Sequence, residues 1–112
     1  MPPVKMTLQW LVPLGQSRSL TDALHQLMLA ARARPGCLGC CLSTDVGGQV
    51  DVRYTEDWAD EALLRYELRS ERFERLASLL ESSTRPPKVE FALPAGIRGL
   101  DYAEEVRAAL TD

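Results

Sequence analysis

The sequence predicts an α+β fold with the element order β-α-β-β-α-β and a C-terminal helix. Strands are indicated where apolar and polar residues alternate, because successive side chains of a strand face opposite sides. Such segments are residues 4–12, 49–58 and 88–93. Helices are indicated by apolar residues at helical spacing over residues 19–31 and 60–80. This order is the split βαβ, ferredoxin-like topology, and we expect residues 1–112 to form one domain.

The first half of the chain is predicted to hold a strand, a helix and the start of a hairpin. The strand is closed by Pro13-Leu14-Gly15, which is typical of a turn. The helix is expected to begin at Ser19, because Asp22 follows three residues later in a near capping box. Arg34 lies near its C-terminal end, where positive charge is favoured, and Pro35-Gly36 stops it.

The second half is predicted to hold a hairpin, a long helix, a fourth strand and a terminal helix. The hairpin joins an apolar strand over residues 37–45 to the alternating strand, since Gly47-Gly48 lies between them. The long helix is expected to break near Ser70, which can restart a helical turn. Residues 94–99 are expected to form a loop, and residues 100–110 the last helix.

Four antiparallel strands present two faces, and two helices cover only one of them. On the third strand, Tyr54 and Trp58 point to the apolar side, whereas Arg53 points to the polar side. The uncovered face must meet water or a partner. We expect it to pair with a second copy of the chain, with Arg53 at the dimer surface.

Composition narrows the class of protein. Apolar residues make up 46% of the chain and charged residues 26%, which is ordinary for a globular protein. The net charge of −3 argues against nucleic acid or an anionic membrane as partner. No apolar run approaches the ~20 residues of a membrane helix, and no signal peptide is indicated. Cysteines crowded into residues 37–41 are not a disulfide framework, so we expect a cytoplasmic protein.

The motif Cys37-x-x-Cys40 suggests redox chemistry or zinc. Residues three apart on a regular strand face opposite sides, so we expect the two sulfurs to be too far apart to bond. A zinc site would also need a second pair of ligands, which the sequence lacks. We interpret both cysteines as small buried residues, and we expect Cys41 to face the pocket side beside Tyr54 and Trp58.

Several short motifs together resemble one family. They are Pro35-Gly36-Cys37, Glu56-x-Trp58, Leu68-x-Ser70-x-x-Phe73, and the tail Pro86-Pro87-x-Val89-x-Phe91 with Gly99-Leu100 and Val106-Arg107. In this order and spacing, over nearly the whole chain, the sequence resembles the antibiotic biosynthesis monooxygenase family. The tail is similar to that of a small, poorly characterised subgroup of it.

The resemblance implies a homodimer whose two sheets face each other as a dimeric α/β barrel, with a pocket between each sheet and its own helices. It also implies oxidation of a quinol-like or polycyclic aromatic substrate by molecular oxygen, without flavin or metal. The substrate is then the reductant: its anion passes an electron to oxygen, while the protein orients it and stabilises charge in a dry pocket. The expected partners are a second copy of the chain and a small aromatic molecule.

The expected site lies where the third strand turns into the long helix. The expected catalytic residues are Trp58, Tyr66 and Glu67, and the expected substrate-binding residues are Tyr54, Trp10, Cys41 and His25. Trp58 matches the family's Trp, whereas Glu67 stands where many relatives carry a His. Haem degradation is not expected, because neither that His nor the first-strand Asn of haem-degrading relatives is present.

Structural roles are open alternatives for these side chains. Tyr54 and Trp58 would then be core aromatics, Tyr66 part of the buried helix stripe, and His25 a boundary residue that faces solvent or the pocket rim. Glu67 would be a solvated carboxylate that pairs with a neighbouring arginine. The candidate arginines are Arg65, Arg69 and Arg72.

Two functions are therefore open. One is a cofactor-independent monooxygenase, and the other is a non-enzymatic dimeric module that binds a small ligand or a partner. A pocket filled by the protein's own side chains would favour the second.

Overall fold

The computed structural model describes residues 2–109. The predicted elements appear in the predicted order, with one additional short strand. The strands are β1 Val4–Val12, β2 Cys37–Val46, β3 Val50–Trp58, β4 Lys88–Leu93 and β5 Gly96–Arg98. The α-helices are α1 Leu14–Arg32, α2 Glu61–Leu68, α3 Glu71–Leu79 and α4 Leu100–Ala108, and a short 3-10 helix over Leu80–Ser82 follows α3.

The strands form one antiparallel sheet in the order β2-β3-β1-β4-β5. β1 lies at its centre, with Leu8 opposite Tyr54 of β3 on one side and Val89 of β4 on the other. α1 connects β1 to β2, while α2 and α3 connect β3 to β4. This is the predicted ferredoxin-like α+β arrangement.

The hydrophobic core lies between the sheet and the helices. Every second residue of β1 and β3 is buried on this side, which is the period of two seen in the sequence. α1 buries residues at helical spacing against it: Leu20, Leu24, Leu27, Met28 and Ala31. α2, α3 and α4 also place their buried apolar side chains in this single cluster, so all four α-helices cover the same face of the sheet.

The first helix begins at Leu14, not at Ser19 as the capping pattern predicted. Pro13, in an extended conformation, leads directly into it. A proline suits this place because its fixed φ and missing N–H cost nothing ahead of the first helical turn. The predicted turn at residues 13–15 is therefore wrong, and Ser19 and Asp22 lie inside the helix.

The predicted break near Ser70 is confirmed. Asp60 caps α2 by accepting a hydrogen bond from the Leu63 N–H at 3.0 Å. Ser70 caps α3 in the same way, accepting from the Phe73 N–H at 3.2 Å. Two separately capped helices, α2 and α3, therefore follow β3.

The predicted loop over residues 94–99 contains the short strand β5, which pairs with β4. Three residues are too few for an alternation to be recognised in the sequence, so pairing with a neighbour is what defines this strand. The last helix begins at Leu100 as predicted, and its predicted end at Leu110 lies outside the described residues.

The opposite face of the sheet is polar and carries no helix within residues 2–109. Gln9 donates hydrogen bonds to both carboxylate oxygens of Asp51, at 3.0 and 2.9 Å. Lys5 and Asp57 form an ion pair at 3.8 Å, and Arg53 is exposed. We call this surface the open face.

Among residues 2–109, no helix combines the length and hydropathy that crossing a bilayer requires.

Candidate functional site

Three side chains of β3 that point toward the helices form a buried polar cluster around Glu56. The Tyr54 hydroxyl donates to Glu56 Oε2, and the Trp58 indole N–H donates to Glu56 Oε1 at 3.1 Å. All three side chains are almost fully buried. Their meeting follows from the period of two of the strand, which places alternate residues on one side.

Arg72 closes this cluster from α3. Its Nη1 lies 2.5 Å from Glu56 Oε2 and its Nη2 lies 3.0 Å from Oε1, which is a bidentate ion pair. The helix cap at Ser70 fixes where α3 starts and so directs Arg72 to the sheet. We call Tyr54, Glu56, Trp58 and Arg72 the Glu56 cluster.

Burial and contacts with Glu56 shift the pKa of two side chains in the Glu56 cluster. Burial, together with the charge and hydrogen bond of Glu56, raises the pKa of Tyr54 above its ordinary range. For Arg72, burial acts to lower the pKa, but hydrogen bonding and attraction to Glu56 outweigh it and the pKa rises. The cluster thus holds a neutral phenol and a protonated guanidinium around Glu56, an arrangement suited to a structural role.

Glu67, at the end of α2, lies between two guanidinium groups. Its Oε1 accepts a hydrogen bond from Arg34 Nε at 2.7 Å, and its Oε2 lies 3.5 Å from Arg72 Nη2. Only 4% of the residue is exposed. The alternative that paired Glu67 with Arg72 therefore names a correct partner. Its expectation that the carboxylate is solvated is wrong, because Glu67 is buried. Helix α2 ends so that this residue faces inward.

A cleft opens on the outer side of Glu67. It has a volume of about 310 Å³ and is lined by Arg34, Pro35, Leu63, Tyr66 and Glu67. A second cavity of about 420 Å³ shares two of these residues and extends to Arg69 and Ser70. We call the first cavity with this extension the Arg34 cleft. It combines an apolar wall, the guanidinium groups of Arg34 and Arg69, one phenol and a carboxylate.

Glycine shapes one wall of this cleft. Gly36 has φ +84°, a conformation that side chains disfavour, and an added Cβ would lie 2.2 Å from Leu63 Cδ1. The missing side chain lets the start of β2 approach α2 closely.

Tyr66 lies at the other side of the cleft with 67% of its surface exposed, so it does not belong to a buried stripe of the helix.

The remaining predicted site residues lie elsewhere. Trp10 is buried in the core, where its indole N–H donates to the Leu79 carbonyl at 2.7 Å, so it lies at no pocket rim. Cys41 is exposed on the open face opposite Thr55, and the prediction that it faces Tyr54 and Trp58 is wrong. A β-bulge earlier in β2 causes this reversal.

His25 is exposed on α1, so of the two positions open to it, it takes the one that faces solvent. Neither His25 nor Trp58 lines the Arg34 cleft. The structure therefore brings Tyr66 and Glu67 together at an opening, and seals Tyr54 and Trp58 behind Arg72.

Arg34 and Arg72 are the residues that sequence reasoning missed as parts of one site. Arg34 was noticed only as a favourable charge at a helix end. Arg72 was considered only as one of three surface partners of Glu67, because the sequence does not show that the helix after Ser70 brings it to Glu56. The signal that connects them is the pair of inward carboxylates, Glu56 and Glu67, since buried carboxylates need cationic partners.

No protein-family model matches the sequence, and no curated protein is significantly similar to it. Solved structures do match. Rv0793 from Mycobacterium tuberculosis is 22% identical, with a TM-score of 0.69 over 82% of this chain and 94% of that one. A structure described as an antibiotic biosynthesis monooxygenase is 19% identical, with a TM-score of 0.67 over 79% and 94%.

A variant of SnoaB, a cofactor-independent oxygenase from Streptomyces nogalater, also matches. It is 14% identical, with a TM-score of 0.65 over 81% of this chain and 91% of that one. At these identities the likeness establishes a shared fold. The chain therefore has the architecture of proteins that include an antibiotic biosynthesis monooxygenase and a cofactor-independent oxygenase.

Proposed function

We propose that this protein is a cofactor-independent monooxygenase, and that it oxidises a phenolic or quinol-like aromatic bound in the Arg34 cleft. The observation that supports this best is the Arg34 guanidinium beside an apolar wall and a phenol, at one opening of a fold shared with a cofactor-independent oxygenase. A chemistry in which the substrate is the reductant needs an apolar surface for the ring and a fixed positive charge for its anion.

The dimensions of the cleft suit such a substrate. A cavity of about 310 Å³ lies at the lower end of ordinary ligand pockets and fits a small aromatic ring system. Pro35 and Leu63 offer the ring an apolar wall, and Arg34 and Tyr66 offer hydrogen-bond donors to its oxygen. The extension toward Arg69 leaves room for further rings of a polycyclic substrate.

The reaction is the conversion of a phenol with a free para carbon and molecular oxygen into a quinone and water. Glu67, which lines the cleft, takes the phenolic proton. Arg34 stabilises the phenolate, which passes one electron to oxygen. The two radicals combine at the para carbon, and loss of water leaves the second carbonyl.

Within this proposal the Glu56 cluster supports the site and does not touch the substrate. Arg72 bridges Glu56 and Glu67, so the ion pair at Glu56 determines where Glu67 stands. Trp58 and Tyr54 act on Glu67 only indirectly, because they hold Glu56 in place by donating hydrogen bonds to it. The catalytic role expected for Trp58 becomes a positioning role.

The test follows oxygen uptake with a panel of monocyclic and polycyclic phenols that have a free para carbon, and uses ¹⁸O₂ to follow the oxygen atom. We expect one labelled atom in the quinone and the other in water. Arg34→Gln should lower the rate about a hundredfold, as loss of one charge-stabilising donor does elsewhere. Arg18→Gln, at a highly exposed position of α1, is the matched control. Uptake no greater than that of a Trp58→Phe, Glu67→Gln variant would contradict the proposal.

The second candidate function is a non-enzymatic module that binds a small aromatic ligand. The sealing of Trp58 and Tyr54 behind Arg72 favours it, because the space beside these aromatics is filled by the protein's own side chains. Binding of the same phenols without oxygen uptake would select this function. Isothermal titration beside the uptake measurement therefore separates the two.

We further propose that the open face pairs with the open face of a second copy. This face is polar, but several of its side chains have little contact with water in the single chain. Thr7 is buried, and Gln9 and Leu11 are half-buried. Sedimentation should give a dimer at micromolar concentration. A stable monomer, or a dimer unaffected by Thr7→Arg, would contradict this assignment.

A further inference from the structure

Cys37 and Cys40 lie on the same side of β2, contrary to the expectation for a regular strand. Their partners on β3, Trp58 and Glu56, are two residues apart and both face the helices. On β2 the cysteines are three residues apart, because the register shifts between Cys37 and Gly39. The extra residue is a β-bulge, and it turns one sulfur to the side of the other.

The two sulfur atoms are 3.5 Å apart. A disulfide bond is about 2.05 Å long, so only a small rotation of both side chains separates the thiols from a bond. Both cysteines are half-buried against the core. Burial, the hydrogen bond with Cys37 and the charge of Glu56 raise the pKa of the Cys40 thiol to about 12.

We propose that Cys37 and Cys40 form a reversible disulfide across this bulge, by exchange with a low-molecular-weight disulfide such as oxidised glutathione. The backbone pairing of β2 with β3 holds both thiols in place before any oxidant arrives. Cys41, although adjacent to Cys40 in the chain, is on the open face and does not compete. This inference is independent of the proposed monooxygenase activity.

The exchange takes two steps. The Cys37 sulfur attacks the small disulfide, forms a mixed disulfide and releases one small thiol. The Cys40 sulfur then attacks Cys37, forms the protein disulfide and releases the second small thiol. Two protein thiols are oxidised, one small disulfide is reduced, and both protons leave on the released thiols. Cys37 makes the first attack because the Cys40 thiol keeps its proton at neutral pH.

The experiment equilibrates the folded protein at graded ratios of reduced to oxidised glutathione. The remaining thiols are then alkylated and counted by intact-mass spectrometry. The working variant is Cys41→Ser, which removes the exposed thiol and leaves the pair. We expect it to lose both alkylatable thiols together and to retain no glutathione. Adding Cys37→Ser gives the matched control, which should carry glutathione on one sulfur at most. The wild-type protein, measured in parallel, should keep one thiol.

A second titration in denaturing urea measures what the fold contributes. If the bulge holds the sulfurs ready, half-oxidation of the unfolded chain should need about tenfold more oxidised glutathione than the folded protein. Equal midpoints would show that the fold contributes nothing, and would overturn the proposal. So would a Cys41→Ser variant that keeps both thiols free, or that forms only glutathione adducts or disulfides between chains.

Discussion

Glu67 separates two regions of the molecule that use the same residue types in opposite ways. On its inner side lies the Glu56 cluster, where a carboxylate and a guanidinium are enclosed with two aromatic donors. On its outer side lies the Arg34 cleft, where a guanidinium with 39% of its side chain exposed stands over an apolar wall. Among the described residues, the first region holds one buried side-chain donor without a hydrogen-bond partner, Arg72 Nε, and its other polar side-chain atoms are paired. In the second region, Arg34 and Tyr66, which both carry hydrogen-bond donors, line a cleft.

The difference lies in the solvent. A buried ion pair that loses one partner leaves an uncompensated charge in a medium of low dielectric constant, whereas an exposed pair is screened by water. We therefore expect substitutions in the Glu56 cluster to change stability, and substitutions in the Arg34 cleft to change ligand binding.

The largest effect on stability is expected from Arg72→Met. It leaves Glu56 buried without its ion-pair partner, and should lower the free energy of unfolding by about 3–5 kcal/mol. Urea denaturation measures this as a lower midpoint at an unchanged slope. Arg18→Met, at a highly exposed position of α1, should stay within about 0.5 kcal/mol. Adding Glu56→Gln to Arg72→Met should recover stability, because no charge is then left unpaired. A loss of equal size in Arg72→Met and Arg34→Gln would remove the distinction between the regions.

The next effect is that of Tyr54→Phe, which removes a buried donor to Glu56 and should cost about 1–3 kcal/mol. It should also change the alkaline limb of stability. The raised pKa means that the folded protein keeps the phenolic proton after the unfolded chain, with a pKa of about 10, has lost it. This contribution is therefore intact below pH ~10 and is lost as the pH rises further.

The free energy of unfolding should thus fall less steeply from neutral to alkaline pH in Tyr54→Phe than in the wild type. Some slope should remain in the variant. Burial and the hydrogen bond to Glu61 raise the pKa of Tyr102 to about 12, and the Cys40 thiol acts in the same direction. Parallel curves for both proteins would argue against a buried phenol at position 54.

Arg34→Gln should have a smaller effect on stability and a larger one on binding. Its ion pair with Glu67 is partly exposed, so we expect a loss of about 1 kcal/mol or less. Affinity for a phenolate should fall about tenfold or more, since a charge-assisted hydrogen bond is lost. Calorimetric titration with an acidic phenol measures this. An unchanged affinity would place the ligand elsewhere.

Tyr66→Phe should have the smallest effect on stability, within about 0.5 kcal/mol, because the side chain is exposed. Loss of one neutral hydrogen bond should weaken binding of a quinone by about threefold to tenfold. The aromatic hydrocarbon without oxygen serves as the internal control, and its affinity should not change. Equal changes for both ligands would mean that Tyr66 contributes packing alone.

Most of the fold could be predicted from the sequence, because the core-forming strands alternate over long runs. β1 and β3 keep the period of two over nine residues each, so both their existence and their buried faces were predicted correctly. The helix break was also predicted, because Ser70 combines a capping side chain with a change of pattern. The start of α1 was not, since Pro13-Leu14-Gly15 suits a turn and a helix start equally well.

The site was harder to predict, because it depends on contacts between distant residues. Glu67 and Arg34 are separated by 33 positions, and Arg72 reaches Glu56 across 16. No local pattern records that these side chains meet. The β-bulge in β2 also depends on pairing with a distant strand, and one extra residue there reversed the expected sides of Cys40 and Cys41.

The order of residues thus settled the elements and the side of β1 and β3 that is buried, because hydrophobic periodicity is a local property of the chain. Only the tertiary structure decided which polar groups are enclosed and which are accessible. The bulge, the cap at Ser70 and the missing side chain at Gly36 each shift a backbone path by a small amount. In a packed interior, such shifts decide whether a charge meets a partner or meets water.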